Sequence, residues 1–234
     1  KFGIIKKSER VIFSKQKNNV KSLARSYVKK IDIKSYEEGK DWKILEKDYK
    51  KKKFSLNFMY NNYEFDFPSL YGDHQIENAS TAITTVLATN NFNISKDSIN
   101  SSLLKTNWPA RMQNLNGKLS KFSGSTFDIW LDGGHNIDAS KIISSIIENW
   151  KERNIILIIG MINGKDPVKF LKKFIHNISL LIILPISEHQ YIMPYEIKNL
   201  VIEKFNPNFE ISCCLNIEEA LKITKVFWWK NINL

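Results

Sequence analysis

Two runs of this chain, Asn154 to Ile159 and Ser179 to Leu184, are apolar through almost their whole length, and each leads into an amphipathic helical pattern. A strand that is apolar on both faces needs cover on both faces, which is the situation of strands in a parallel sheet sandwiched by helices. The punctuation agrees. Gly160 closes the first run, and Asp166-Pro167 supplies an N-cap and a first-turn proline for a helix burying Val168, Leu171, Phe174 and Ile175. Pro185 stops the second run, and Pro194 starts a helix with Ile197, Leu200 and Val201 on one face. Phe209 to Cys213 reads as a last short strand. Asn216 with Glu219 reads as a capping box opening a helix that carries Ala220, Leu221 and Thr224. Upstream, Phe127 to Leu131 reads as a strand running into Asp132-Gly133-Gly134-His135-Asn136, then a helix with Ile142, Ile143, Ile146, Ile147 and Trp150 inward. Residues 107–234 therefore read as a Rossmann-like α/β domain, joined near Asn107-Trp108 to a first domain, residues 1–106.

The first domain is more mixed. Arg10 to Ser14 reads as a strand and Val20 to Val28 as a helix. Lys53 to Phe67 alternates as a hairpin does, with Phe54, Leu56, Phe58 and Tyr60 on one face and Asn61-Asn62 at the turn. A helix over about Gln75 to Ala88 would bury Ala79, Ala82, Ile83, Val86 and Leu87, and a shorter one follows over Ser95 to Leu104.

Composition narrows the class. The 234 residues are 43% hydrophobic, enough for one large core or two modest ones. No apolar run approaches the about 18 residues of a membrane span. The formal charge of +11 raises nucleic acid as a partner, yet 31 of the 35 basic residues are lysine, scattered along the chain. A nucleic-acid face more often concentrates arginine, so the lysines, including the run Lys50 to Lys53, read as solvated surface. Cys213 and Cys214 are adjacent and read as small buried or half-buried residues; no Cys/His spacing suits structural zinc. This cysteine usage implies a reducing cytoplasm. His176 and His189 read as surface residues. The chain opens on Lys1, which reads as an internal position of a longer protein.

Three polar clusters stand at element boundaries, where function gathers. They are Gly72-Asp73-His74-Gln75-Ile76-Glu77-Asn78-Ala79, Trp108-Pro109-Ala110-Arg111-Met112-Gln113 and Leu131-Asp132-Gly133-Gly134-His135-Asn136. At these residues the chain resembles folylpolyglutamate synthase/dihydrofolate synthase, within the Mur ligase superfamily. The family patterns run HQxxNA, WPGRxQ and LDGAHNxxA. Lys1-Phe2-Gly3-Ile4-Ile5-Lys6 looks like the family's KxGIIK segment, and Ile159-Gly160-Met161 with Lys165-Asp166 like its GMxxxKD segment.

The resemblance implies an α/β enzyme portion: the end of a Mur-ligase-type central ATPase domain, followed by a Rossmann-like C-terminal domain. It implies an ADP-forming ligase that uses ATP and Mg²⁺ to join L-glutamate to dihydropteroate or a folate through an acyl phosphate, in the cytoplasm and as a monomer. Asn78 would bind the adenine, Arg111 the phosphates and Asp132 the ribose hydroxyls. His135 would lie toward the glutamate and acyl-phosphate end. Lys1 matches a lysine that is carbamylated in this family and supports a Mg²⁺ position. Other readings stay open from the residues alone: Asn78 as a helix brace, Arg111 as an interdomain salt-bridge residue, Asp132 as an N-cap, His135 as a boundary histidine.

The pattern also breaks. Ala110 stands where the family has glycine; if that position needs positive φ, alanine is strained there. Gly134 replaces alanine and reads as permissive. Phe227-Trp228-Trp229-Lys230 does not resemble the family's closing strand. No GxxxxGKS/T phosphate loop occurs. The P-loop, the metal-binding histidine and glutamate, and most pterin contacts would precede Lys1, so the chain alone is expected not to turn over ATP. Another Mur-type amino-acid ligase and a decayed, non-catalytic product are the competing readings.

Overall fold

A computed structural model describes residues 2–5, 9–89, 92–115, 128–150 and 153–232. The chain divides into two compact units, Lys1–Gln113 and Asn114–Leu234.

In the first unit, a parallel pair β1 (Arg10–Phe13) and β2 (Lys34–Glu37) is connected by helix α1 (Asn18–Lys30). Glu37, at the end of β2 and 7% exposed, fastens that helix. Its carboxylate accepts Arg25 Nε at 2.7 Å and Arg25 Nη2 at 2.9 Å, and lies 2.7 Å from Lys21 Nζ. An antiparallel meander follows: β3 (Trp42–Asp48), β4 (Lys53–Phe58) and β5 (Asn61–Asp66). β4 buries Phe54, Leu56 and Phe58 on alternate positions, as a half-covered strand should.

The turn is not where the asparagines suggested. Met59 and Tyr60 make it, Met59 at φ 55° and Tyr60 94% exposed, while Asn61 and Asn62 begin β5. A side-chain hydrogen bond holds this register: Asn57 Nδ2 donates to Asn62 Oδ1 at 2.8 Å across the paired strands. Helix α2 (Asp73–Ala88) then packs Ile76, Ala79 and Ile83 into the core with Trp42, Phe54 and Phe65. Val86 and Leu87 are half-buried against it, but Ala82 is exposed. Helix α3 (Lys96–Lys105) is capped by Ser95, whose hydroxyl accepts Ser98 N.

Strand β6 (Gln113–Asn114) spans the boundary. In the second unit come β7 (Trp130–Leu131), α4 (Ile137–Glu148), β8 (Ile155–Ile159), α5 (Pro167–Leu171), β9 (Ile178–Ile183), α6 (Pro194–Phe205), β10 (Glu210–Cys213) and α7 (Ile217–Ile232). β8, β9 and β10 form a parallel sheet with β9 central. Successive β9 residues feed opposite cores. Leu181 and Ile183 meet Ile147, Phe170, Leu171, Ile197 and Val201, whereas Leu180 and Ile182 meet Cys214, Ala220, Ile223 and Phe227. All four β9 side chains are 0% exposed. Each such burial stabilises by about 1.5–3 kcal/mol, which explains the unbroken apolar run.

The caps fall as the residues suggest. Asp166 accepts Lys169 N at 2.9 Å, Asn216 Oδ1 accepts Glu219 N at 2.9 Å, and Glu219 Oε2 accepts Leu215 N at 2.7 Å. Two expectations are corrected. β7 lies outside the three-stranded sheet: Leu131 is 44% exposed, Leu115 N–H donates to Ile129 O at 2.8 Å, and Trp130 packs on Trp150. Cys213 is exposed at the end of β10, where the alternation turns it away from buried Cys214. Phe227-Trp228-Trp229-Lys230, which does not resemble the family's closing strand, is helical, part of α7.

Candidate functional site

Each unit carries its own array of polar side chains, and both arrays sit where a helix begins. In the first unit Gly72, at φ 104°, turns the chain into α2. Asp73 follows in the first turn, where an anion is favoured by the exposed helix N–H groups. Tyr49 Oη donates to Asp73 Oδ2 at 2.6 Å, and Lys47 Nζ reaches the same oxygen at 3.1 Å. Burial pushes the Asp73 carboxyl up, but the Tyr49 hydroxyl and the Lys47 ammonium outweigh it and hold the group below the usual aspartate range. The same bond to Asp73, with burial, pushes the Tyr49 phenol up to about 12. Lys47 and Tyr49 belong to β3 and its turn, and no motif in the sequence marks them.

Two residues further on, Gln75 is 5% exposed although polar. Its Nε2 lies 3.0 Å from His74 Nε2, and its Oε1 accepts Asn78 Nδ2 at 3.2 Å. Asn78 itself is exposed, so its amide is braced from below and open above.

The segment Trp108 to Gln113 carries backbone strain. Ala110 has φ 54° and Met112 φ 44°. The glycine-like geometry expected at position 110 is therefore present, with an alanine in it, at a cost of about 1–2 kcal/mol. Gln113 Oε1 accepts Ala110 N at 3.1 Å and closes the turn. Met112 points inward, 7% exposed, which leaves Arg111 on the outside. Arg111 Nη1 donates to Ala110 O at 3.1 Å. Among the described residues its guanidinium forms no ion pair.

In the second unit Asp132 leaves β7, and its Oδ1 accepts Gly134 N at 2.7 Å. The residue capping α4 is Asn136, whose Oδ1 accepts Asp138 N at 3.1 Å and Ala139 N at 3.0 Å. Asp132 is not the N-cap. His135 Nδ1 lies 2.9 Å from Gly133 O; a carbonyl only accepts, so Nδ1 donates to it and Nε2 is the ring nitrogen left for other partners. Gly134 is less permissive than its lack of a side chain suggests. A Cβ there would lie 2.7 Å from Asp132 Oδ1 and 3.0 Å from both Ala139 Cβ and Ile143 Cδ1.

Asp132 and His135 thus share one short loop, while Asn78 and Arg111 occupy separate segments of the first unit. Lys1 lies outside the described residues. Among those residues no group of three or more His, Cys, Asp or Glu side chains could hold a metal ion, and no helix is long and apolar enough to cross a membrane.

No protein-family model matches the chain. It is similar in sequence to the dihydrofolate synthetase of Saccharomyces cerevisiae, 25% identical over 118 residues, covering 49% of this chain and 28% of that protein. It superposes on the Mycobacterium tuberculosis folylpolyglutamate synthase complexed with ADP and AMPPCP with a TM-score of 0.81, at 15% identity, covering 94% of this chain and 49% of that one. The chain has the folylpolyglutamate synthase fold. The synthase from Thermotoga maritima gives a TM-score of 0.73 at 21% identity, over 94% of this chain and 50% of that one. The resemblance read from the motifs is supported by both comparisons, and the α/β class is borne out by the shared fold. The chain spans 28% of the yeast relative and about half of each synthase.

Proposed function

We propose that this chain is part of an ATP-dependent folate-glutamate ligase. In this reading the first unit ends the central ATP-binding domain and the second is the glutamate ligase domain. A carboxylate oxygen of dihydropteroate or a folate attacks the γ-phosphorus of ATP, and ADP leaves. The amine of L-glutamate then attacks the acyl carbon, phosphate departs, and the nitrogen loses a proton as the amide forms. Catalysis of such transfers is mostly positioning and charge neutralisation.

The roles follow from local chemistry. Asn78, braced from below by Gln75, presents an amide edge suited to adenine. Arg111, exposed and without an ion pair to a described residue, suits phosphate oxygens. Asp132 suits a ribose diol. His135, with Nδ1 tied to Gly133 O, offers Nε2 toward the glutamate and acyl-phosphate end, where it can accept a proton from the incoming amine. Mg²⁺, when bound, neutralises charge on the transferring phosphoryl group. Lys1, if carbamylated, is proposed to support its position.

The observation that carries the reading is the coincidence of motif and architecture. All three polar clusters fall at turns or helix starts, in a fold shared with synthases of which one is complexed with ADP and AMPPCP. The test is ADP release by the full-length protein that depends on both L-glutamate and dihydropteroate or tetrahydrofolate. Release that requires a different carboxylate would favour another Mur-type ligase. Nucleotide binding unaffected by Asn78→Ala, Arg111→Ala and Asp132→Ala would remove the assignment of the site.

A further inference from the structure

The two ends of a carboxamide have nearly the same shape and opposite hydrogen-bonding character, so its partners decide which way it faces. Asn78 Nδ2 donates to Gln75 Oε1 at 3.2 Å, and Gln75 Nε2 lies 3.0 Å from His74 Nε2. An amide nitrogen only donates, so His74 Nε2 accepts and the neutral ring carries its proton on Nδ1. The three side chains form a line in which every donor points toward His74. The line has one self-consistent alternative, with every bond reversed: His74 Nε2–H to Gln75 Oε1, and Gln75 Nε2 to Asn78 Oδ1. Any mixed state sets two donors or two acceptors against each other beside Gln75, which is 5% exposed and has little water to relieve it.

We propose that Gln75, held by His74, is a positioning residue that turns the Asn78 amide to accept a 6-aminopurine nucleotide and to reject a 6-oxopurine one. The proposal rests on the reading of Asn78 as the base contact. With Nδ2 already donating to Gln75, the exposed edge of Asn78 offers Oδ1 as an acceptor and the second Nδ2 hydrogen as a donor. That edge complements the N6–H donor and N7 acceptor of adenine. A 6-oxopurine replaces N6–H by a carbonyl, which would meet Asn78 Oδ1 acceptor to acceptor. The reversed line would present both Nδ2 hydrogens outward and suit the oxo base. The direction of the line therefore selects the nucleotide, and Gln75 touches neither base.

ATP and ITP differ at purine position 6 and in the proton on the adjacent N1, and on the N6/N7 edge that Asn78 would read only position 6 changes, so the ratio of their affinities for the full-length protein reads the direction of the line. The wild type is expected to favour ATP by about tenfold or more, the effect of one mispaired polar contact. Gln75→Met keeps the length of the side chain and removes its polarity; the ratio is expected to collapse toward one while ATP affinity falls only several-fold. Gln75→Glu presents an acceptor to Asn78, with protonated His74 as its partner, and is expected to keep the ratio at the wild-type level. A purely structural role for Gln75 would move both affinities together and treat the two variants alike. If Gln75→Met does not fold, judged by circular dichroism, Gln75→Glu decides: loss of the ratio there overturns the proposal. A wild type that binds ATP without discriminating, or Gln75→Met with the ratio intact, overturns the line while leaving Asn78 as the base contact. Absence of nucleotide binding in the wild type overturns both.

Discussion

The Asp132 carboxylate accepts the Gly134 amide at 2.7 Å, and a Cβ added to Gly134 would lie at that same distance from the same oxygen. One glycine thus serves as both donor and clearance for the acid proposed to bind ribose. Alanine stands here in the resembling family, so Ile143 and Ala139, at 3.0 Å, decide how much room this chain has.

Gly134→Ala is accordingly expected to rotate the Asp132 carboxylate out of its turn. Nucleotide affinity should fall by about tenfold, equivalent to one lost polar contact. Titration of ATP into the full-length protein and the variant checks this. Unchanged affinity, with the variant folded, would mean that Asp132 is not held by this turn when nucleotide is bound.

Ala110→Gly should stabilise the protein. Alanine at φ 54° bears the crowding of its Cβ with the carbonyl, and glycine removes it. Against this stands the greater freedom glycine gives the unfolded chain, about 0.4–1 kcal/mol. The net gain is expected to be about 0.5 kcal/mol, read as a higher urea midpoint with an unchanged slope. Ala110→Val should go the other way, because a β-branched side chain fits this conformation worst.

Glu37 makes the first unit sensitive to acid. Hydrogen bonds from Arg25 and Lys21 hold its carboxyl below the ordinary value of 4.5, against a burial effect that raises it. A folded-state value below the unfolded one means that the stabilisation is complete above the unfolded value. It is lost as pH falls through the folded one. Glu37→Gln should therefore cost about 1.5–3 kcal/mol at neutral pH, typical of bonds to a charged group. The gap between variant and wild type should close well below pH 4.5. A gap of equal size at both pH values would assign the loss to packing.

Leu181→Ala tests the covered sheet of the second unit. The side chain is 0% exposed on the central strand, against Ile159, Phe170 and Val201. A loss of about 2–5 kcal/mol is expected in thermal or denaturant unfolding. Leu200→Ala, on a half-buried position of α6, should cost much less.

The order and type of elements in the second unit were determined by sequence alone, because each depends on neighbours along the chain. Leu180 to Ile183 can be apolar at every position only if both faces are covered. Asp166 with Pro167, and Asn216 with Glu219, satisfy helix-end N–H groups within four residues of themselves. The demand for positive φ at Ala110 was legible as a departure from a resembling pattern. What the sequence left undetermined is which distant polar groups share one small volume. Lys47 and Tyr49 meet Asp73 only because β3 runs past the start of α2, a matter of sheet register and helix packing with no local signature. The same holds for Ala82 and Cys213, apolar or small residues left at the surface, and for Trp130–Leu131, a strand that pairs outside the main sheet. Local hydrogen bonding and sterics set the elements, whereas burial depends on what packs against them, and that is decided only in three dimensions.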